Sequence, residues 1–260
     1  MDPKEIADLF AKDSDRATAF SYLKSEDVIP LIDNPAHLSG DRIPPNYQDL
    51  ARLHQTIRMR KAFTILEFGL GYSTIVMADA LMKNKLDWEA LDEKPKIRNS
   101  TPFQLHAVDT SQNWIEQTQS MLPEHLTTLI TLHYSSAKVG TFQDRACHFY
   151  EELPDIVPDF IYLDGPDPAT VIGNIGGASW QNRDRVVTSG DLLRLEPQLI
   201  PGTLIVIDGR TANARFLQAH FYRNWQINHS IASDVTVCEL QESPLGQSSR
   251  NLQKFIARFR

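Results

Sequence analysis

Between Thr64 and Thr74 the chain reads T-I-L-E-F-G-L-G-Y-S-T, and the residue types here suit ligand binding. An apolar, β-rich run ends on the acid Glu67. Gly69 and Gly71 then make a Gly-x-Gly turn, and Ser73 and Thr74 open a helix with apolar periodicity. The two glycines let the backbone turn sharply and approach a ligand where a Cβ would collide. Ser73 is the expected N-cap, with the free N–H groups of the first helical turn behind it. A carboxylate bonds well to hydroxyl and ammonium groups and repels phosphate. Glu67 at the mouth of the turn therefore argues against a pyrophosphate and for a cofactor with a cationic amino-acid part.

Polar residues close four further apolar runs: Asp109, Ser135-Ser136, Asp164 and Asp208. Loops at the C-terminal ends of parallel strands converge on one crevice. One acid at a strand end is ordinary, but acids at four of five such ends predict a shared site. Asp109 is placed to accept the two hydroxyls of an adenosine ribose. It lies 38 residues beyond Gly71, against a usual spacing of about 20, and a polar insertion accounts for the excess. Asp164 and Asp208 are the candidate chemical groups. On neighbouring strands, about 4.8 Å apart, their carboxylates would be close. Two close like charges must raise one pKa, gain a cation or point apart. The first outcome makes a general base for an acceptor hydroxyl, and the second an oxygen-ligand Mg²⁺ site. The plainer alternative is that Asp208 caps the helix that follows. Arg210 is either a fork for an anionic acceptor or a solvated arginine.

The elements that must position these groups follow from periodicity. A helix is expected from Tyr47 to Arg60, burying Leu50, Leu53 and Ile57. Strands are expected over residues 63–68, 104–108, 128–134, 159–163 and 203–207, alternating with helices, which implies a parallel sheet covered on both faces. The helix after the first strand turns Ile75, Ala78, Leu81 and Met82 to the sheet, and residues 83–102 read as a polar surface loop. Trp114, Ile115 and Met121 mark the next helix. A Gly-rich segment over 165–182, with Trp180 as a stacking surface, leads to a helix over about 185–199. Ala212, Phe216 and Leu217 mark the last helix. Residues 225–231 and 235–240 are two strands joined by a turn too short for a parallel crossover, so they pair antiparallel.

On these residues the chain resembles the class I S-adenosylmethionine-dependent methyltransferases, in their small-molecule, O-methyltransferase-like branch. The resemblance covers residues 63–240: E-F-G-L-G-Y-S as the cofactor loop, A-V-D-T at the second strand, D-F-I-Y-L-D-G-P at the fourth and the closing hairpin. It implies a Rossmann-like methyltransferase sheet, mostly parallel with a closing antiparallel hairpin, and S-adenosylmethionine as cofactor. The methionine part falls to Glu67, Gly69, Gly71 and Ser73, the ribose to Asp109, and the flanks of adenine to Ser135 and Ser136. Ser73 departs from the third glycine of many members. Metal-dependent catechol-type members are similar at Asp164 and Asp208, but have Asp-Asn where this chain has Asp208-Gly209; Asn213 lies nearby. The D/N-P-P-Y/F box of base-amino methylation is absent at the fourth strand, where Leu163-Asp164-Gly165-Pro166 stands.

Residues 1–45 read as a helical N-terminal extension to a catalytic domain over residues 46–260. Ile6, Leu9, Phe10, Phe20 and Leu23 have helical spacing, and Pro30, Pro35, Pro44 and Pro45 break the following stretch. The extension is either a packing arm or a lid over the acceptor pocket. A net charge of −7 disfavours broad nucleic-acid binding. The opening Met-Asp-Pro-Lys-Glu does not read as a signal peptide, and no apolar run reaches membrane-spanning length, so a cytoplasmic location is expected. Cys147 and Cys238 read as buried thiols, and His106, His133, His148, His220 and His229 lack metal-site spacing. The expected function is methyl transfer to a small acceptor, at oxygen. The rivals are an NAD-dependent oxidoreductase, against which Glu67 and Thr74 count, and a non-catalytic protein that keeps the pocket.

Overall fold

Alternation along the strands sorts side chains into two layers. In the computed structural model, which describes residues 1–33 and 44–257, β1 (Thr64–Phe68) sends Ile65 to one face and Leu66 and Phe68 to the other. β6 (Phe160–Leu163) and β9 (Leu204–Asp208) split in the same way, as the two-residue period requires. With β2 (Gln104–Asp109), β3 (Ile130–Tyr134), β10 (Trp225–Ser230) and β11 (Val235–Leu240) they form one sheet of order β10-β11-β9-β6-β1-β2-β3. The five strands from β9 to β3 are parallel, and β11 runs antiparallel to both neighbours. The strand order reverses at β1, between β2 and β6, where open α/β sheets place their ligand crevice. The fold is the Rossmann-like, mostly parallel sheet with an antiparallel closing hairpin that the sequence predicts.

One face is covered by α4 (Tyr47–Arg60), α5 (Tyr72–Glu89) and α9 (Gly246–Ala257), whose Ile57, Ile75 and Phe255 enter the same core as Ile65 and Phe160. The other is covered by α7 (Asp191–Leu195) and α8 (Thr211–His220), through Leu192, Leu193 and Leu217. The helix α6 (Gln112–Met121) follows β2, as expected. The N-terminal extension forms α1 (Pro3–Ala7), α2 (Arg16–Ser25) and α3 (Ile29–Ile32). Ile6 and Ala7 join the main core, while Leu23, Val28 and Ile32 pack on Leu50, Ala51 and Val76. Pro35 lies outside the described residues. Among the described residues no helix is long and apolar enough to cross a membrane.

Several boundaries differ from expectation, each for a physical reason. The loop expected from Lys83 begins only after Glu89, because Trp88 extends α5 to pack edge-on against Phe63 and Phe255, at ring distances of 5.1 Å each. The first and fourth strands start one residue later than expected, since Asp159 turns its carboxylate onto the N–H groups of Phe63 and Thr64. The third starts at Ile130, after a 3₁₀ turn over Glu124–Leu129. The helix expected over 185–199 is reduced to α7 and a 3₁₀ turn over Glu196–Gln198. The preceding backbone pairs elsewhere: the N–H of His148 donates to the Thr188 carbonyl, and that of Gly190 to the His148 carbonyl. Those bonds come from a feature not foreseen, the hairpin β4 (Ala137–Phe142) and β5 (Arg145–Tyr150). It carries the Gly-rich segment, which folds into the small hairpin β7 (Asn174–Ile175) and β8 (Ala178–Ser179), through exchanges between Ala137, Val139 and Ile172. The helix α9 was likewise not expected.

Candidate cofactor and acceptor site

Register fixes the site. Phe68 pairs with Val108 on one side and Leu163 on the other, and Leu163 pairs with Ile207. One residue further on, Asp109, Gly69, Asp164 and Asp208 therefore stand side by side along the C-terminal edge of four neighbouring strands. By strand parity Glu67, Asp109, Asp164 and Asp208 all belong to the α4–α5 face. Glu67 sits one pleat deeper, paired with Ala107 and Tyr162, which is why it is fully buried while Asp164 is exposed.

The glycine turn is built for close approach. A Cβ on Gly165 would lie 2.4 Å from the Gly69 nitrogen, and Gly69 has φ +89°. The loops after β1 and β6 thus touch through two glycines, and only glycine fits that contact. A Cβ on Gly71 would meet nothing within 4 Å, so this backbone faces open space. The expected Ser73 cap is corrected: α5 begins at Tyr72, and the Gly71 N–H donates to Thr74 Oγ1 at 3.0 Å. Ser73 and Thr74 instead donate to the two oxygens of Glu67, at 2.5 and 2.7 Å. Glu67 is therefore a strut for the turn, bonded on both oxygens from within the loop. Burial pushes its pKa up to about 8; the two hydroxyl bonds oppose this, and the charges of Asp164 and Asp109 add to it.

Asp109 is buried, and one oxygen accepts from the Ser111 N–H at 2.7 Å. Burial raises its pKa against the pull of the Ser111 and Thr110 backbone bonds. The Ser135 hydroxyl accepts from the Glu152 N–H at 2.9 Å, and its own N–H donates to the Asp109 carbonyl at 3.0 Å. Ser136 donates to Glu151. Both serines thus stand beside Asp109, tied to the turn after β5.

At the other side, Asp208 accepts at Oδ2 from the buried Tyr162 hydroxyl at 2.8 Å. Burial raises the Asp208 pKa; the charges of Asp49 and Asp164 raise it further, and the Tyr162 bond and Arg52 lower it. Asp49 comes from the first turn of α4, where Arg52 pairs with it at 2.7 Å while donating to the Leu9 carbonyl at 2.9 Å. Asp164 is pushed up to about 6 by its crowded surroundings against the Arg210 charge. Solvent reaches 57 % of its side chain, which weakens that push. Sequence reasoning missed Tyr162, Asp49 and Arg52. The one visible signal was Tyr162, a polar tip within the apolar run F-I-Y-L.

Three other expectations change. Arg210 is not a free fork: its guanidinium donates to the Asp164 and Pro166 carbonyls, with Nε 3.7 Å from the Asp164 carboxylate. Asn213 is buried and exchanges bonds with the Ser189 backbone at 2.9 and 3.1 Å, so it is engaged away from the aspartates. Trp180 is no stacking surface, since it is 4 % exposed and donates to His148 Nδ1 at 2.9 Å. Among the described residues no group of three or more His, Cys, Asp or Glu side chains could hold a metal ion.

No protein-family model matches the chain, and no curated protein matches it. Among solved structures, the O-methyltransferase TomG from Streptomyces achromogenes, in complex with SAM, is 17 % identical with a TM-score of 0.43, over 92 % of this chain and 97 % of its own. A putative O-methyltransferase from Klebsiella pneumoniae is 18 % identical with a TM-score of 0.45, over 89 % of this chain and 99 % of its own. A putative caffeoyl-CoA O-methyltransferase from Staphylococcus aureus is 14 % identical with a TM-score of 0.47, over 88 % of this chain and 100 % of its own. At such values the likeness carries no activity across to this chain.

Proposed function

We propose that the protein transfers a methyl group from S-adenosylmethionine to a hydroxyl oxygen of a small acceptor. The observation that carries this reading is the row Asp109–Gly69–Asp164–Asp208 at the reversal point of the sheet, with Gly71 opening onto empty space beside it. Gly69 and Gly71 would hold the methionine part by backbone contact, Asp109 would accept the ribose hydroxyls, and Ser135 and Ser136 would flank adenine. Bound there, the cofactor's sulfonium supplies an electrophilic methyl group with a neutral leaving group.

The chain's own work is then orientation and deprotonation. Tyr162 holds Oδ2 of Asp208, which leaves Oδ1 to face an acceptor hydroxyl. A pKa raised toward neutrality suits a general base, and burial together with the Asp49 and Asp164 charges supplies that push. Mg²⁺ is not part of the proposal: Asn213 is engaged at Ser189, the Arg210 guanidinium lies beside Asp164, and among the described residues no group of three or more His, Cys, Asp or Glu side chains could hold a metal ion. Residues 1–45 act as a packing arm on a catalytic domain of residues 46–260, a reading that the burial of Ile6, Leu23, Val28 and Ile32 supports.

Thermal-shift measurement with S-adenosylmethionine, S-adenosylhomocysteine, NAD and ATP tests the cofactor, because a ligand of the folded state raises the melting temperature. The first two should raise it and the others should not. A response to NAD alone would replace this reading with the oxidoreductase one. S-adenosylhomocysteine production over a panel of catechols, phenols and aliphatic alcohols then tests the acceptor, and binding without turnover on any of them would favour the non-catalytic reading.

A further inference from the structure

One cavity bounded by described residues lies away from this crevice. It encloses about 640 Å³, within the range of small-molecule sites. Its walls are the segments that lead into the N-terminal ends of the strands: Arg98 to Thr101 before β2, Asp155 to Val157 before β6, Gln198 and Ile200 before β9, and the start of α9. The acidic row stands at the opposite ends of those strands, so the two sites are separated by the length of the sheet.

The lining is divided in character. Ile156, Ile200 and Leu252 make an apolar wall, and Val157 and Leu245, 46 % and 63 % exposed, stand at the rim. The polar part is rich in donors. Arg98 is exposed and makes no ion pair or hydrogen bond among the described residues. Ser249 is half-buried, and its hydroxyl oxygen is shielded from solvent without a partner, a state that costs free energy. Two of the three serines of the lining, Ser248 and Ser249, belong to the first turn of the twelve-residue α9, where backbone N–H groups point outward and favour negative charge. Asp155 is the one carboxylate in the lining. A dianion would be repelled by it more strongly than a monoanion.

We propose that this cavity is a second ligand site, for a small amphipathic carboxylic acid whose carboxylate meets Arg98 and Ser249 and whose aliphatic body lies on Ile156, Ile200 and Leu252. The shielded, unpartnered hydroxyl and the unpaired guanidinium of one cavity supply the donors, and the apolar wall supplies the hydrophobic contact. Nothing in this site depends on S-adenosylmethionine.

Sodium hexanoate, hexylammonium chloride and sodium phosphate, at matched ionic strength, serve as probes for calorimetry and thermal shift on the full chain. Hexanoate should bind and raise the melting temperature, while hexylammonium and phosphate should do neither. Arg98→Gln, at an exposed position without partners, should fold normally and weaken hexanoate by about tenfold, as expected for losing a hydrogen bond to a charged group. Ser249→Ala should weaken it by a smaller factor, and S-adenosylhomocysteine affinity should be unchanged in both variants. The proposal is overturned if wild-type protein ignores millimolar hexanoate, if Arg98→Gln binds it as well as wild type, or if hexylammonium binds equally. It is also overturned if hexanoate competes with S-adenosylhomocysteine, since that outcome assigns the binding to the crevice.

Discussion

Asp159 and Asp208 come from the same sheet, one at its N-terminal end and one at its C-terminal end, and the structure uses them in opposite ways. Asp159 has both oxygens occupied by backbone donors: Oδ1 accepts from Phe63 and Thr64 at 3.0 and 2.6 Å, and Oδ2 from Phe63 at 3.0 Å. Asp208 has Oδ2 held by one phenol, and its Oδ1 accepts no hydrogen bond among the described residues. Burial raises the pKa of both, Asp159 to about 6. Only Asp208 has no backbone donors to work against that push. The lesson is that burial and a raised pKa do not by themselves mark a functional carboxylate. The proposed base differs from Asp159 in keeping one oxygen without an internal donor.

The arm is a further region, one joined to the rest by apolar burial, and its removal should give the largest effect. Ile6, Leu23, Val28 and Ile32 are fully buried, each contributing about 1.5–3 kcal/mol, so their summed loss approaches a typical domain's whole stability. Deleting residues 1–33 should therefore give aggregated or molten protein by circular dichroism. A soluble truncation that still binds S-adenosylhomocysteine would return the arm to the role of a lid.

The two aspartates should separate cleanly on substitution. Asp208→Asn should lower turnover by about 10²–10⁴-fold with melting temperature and S-adenosylhomocysteine affinity unchanged. Asp159→Ala should instead lower stability by about 2–6 kcal/mol, since two buried N–H groups lose their acceptor at about 1–3 kcal/mol each. Denaturant titration reads this second effect. If Asp208→Asn melts early, or Asp159→Ala is silent, the contrast between the two ends is wrong.

Gly71→Val tests the open end alone. Its side chain has space and no core to disturb, so stability should hold while S-adenosylhomocysteine affinity falls by tenfold or more, or about 1.4 kcal/mol. Unchanged affinity in calorimetry would remove the glycine turn from the cofactor site.

Glu67 should give the most specific signal. Its pKa is raised by burial from an ordinary 4.5 to about 8, so the folded state favours the protonated form. The stability that this provides is fully present below about pH 4.5 and is lost as pH rises through 8. Glu67→Gln carries no such charge. The melting temperature of wild type minus that of the variant should therefore fall between pH 5 and 8. A flat difference would mean that the Ser73 and Thr74 hydroxyls stabilise the carboxylate enough to cancel its burial.

The sequence by itself determined the parallel sheet, the glycine turn and the acid at four of the five strand ends. Apolar runs closing on Glu67, Asp109, Asp164 and Asp208 are local patterns, and strand ends need no knowledge of distant partners. It determined the antiparallel closing pair as well, because a short turn permits nothing else. The hairpin of β4 and β5 escaped notice since residues 137–150 carry polar and apolar residues without clean alternation, and their pairing is stabilised by segments far along the chain. For the same reason the helix expected over 185–199 yielded to backbone bonds with His148. Which acids are open was decided only by tertiary structure. Ser73 and Thr74 close on Glu67, backbone amides close on Asp159, and Tyr162 leaves one oxygen of Asp208 free. Whether a carboxylate is a strut or a base depends on donors brought to it in three dimensions, and residue type and spacing do not encode how many arrive.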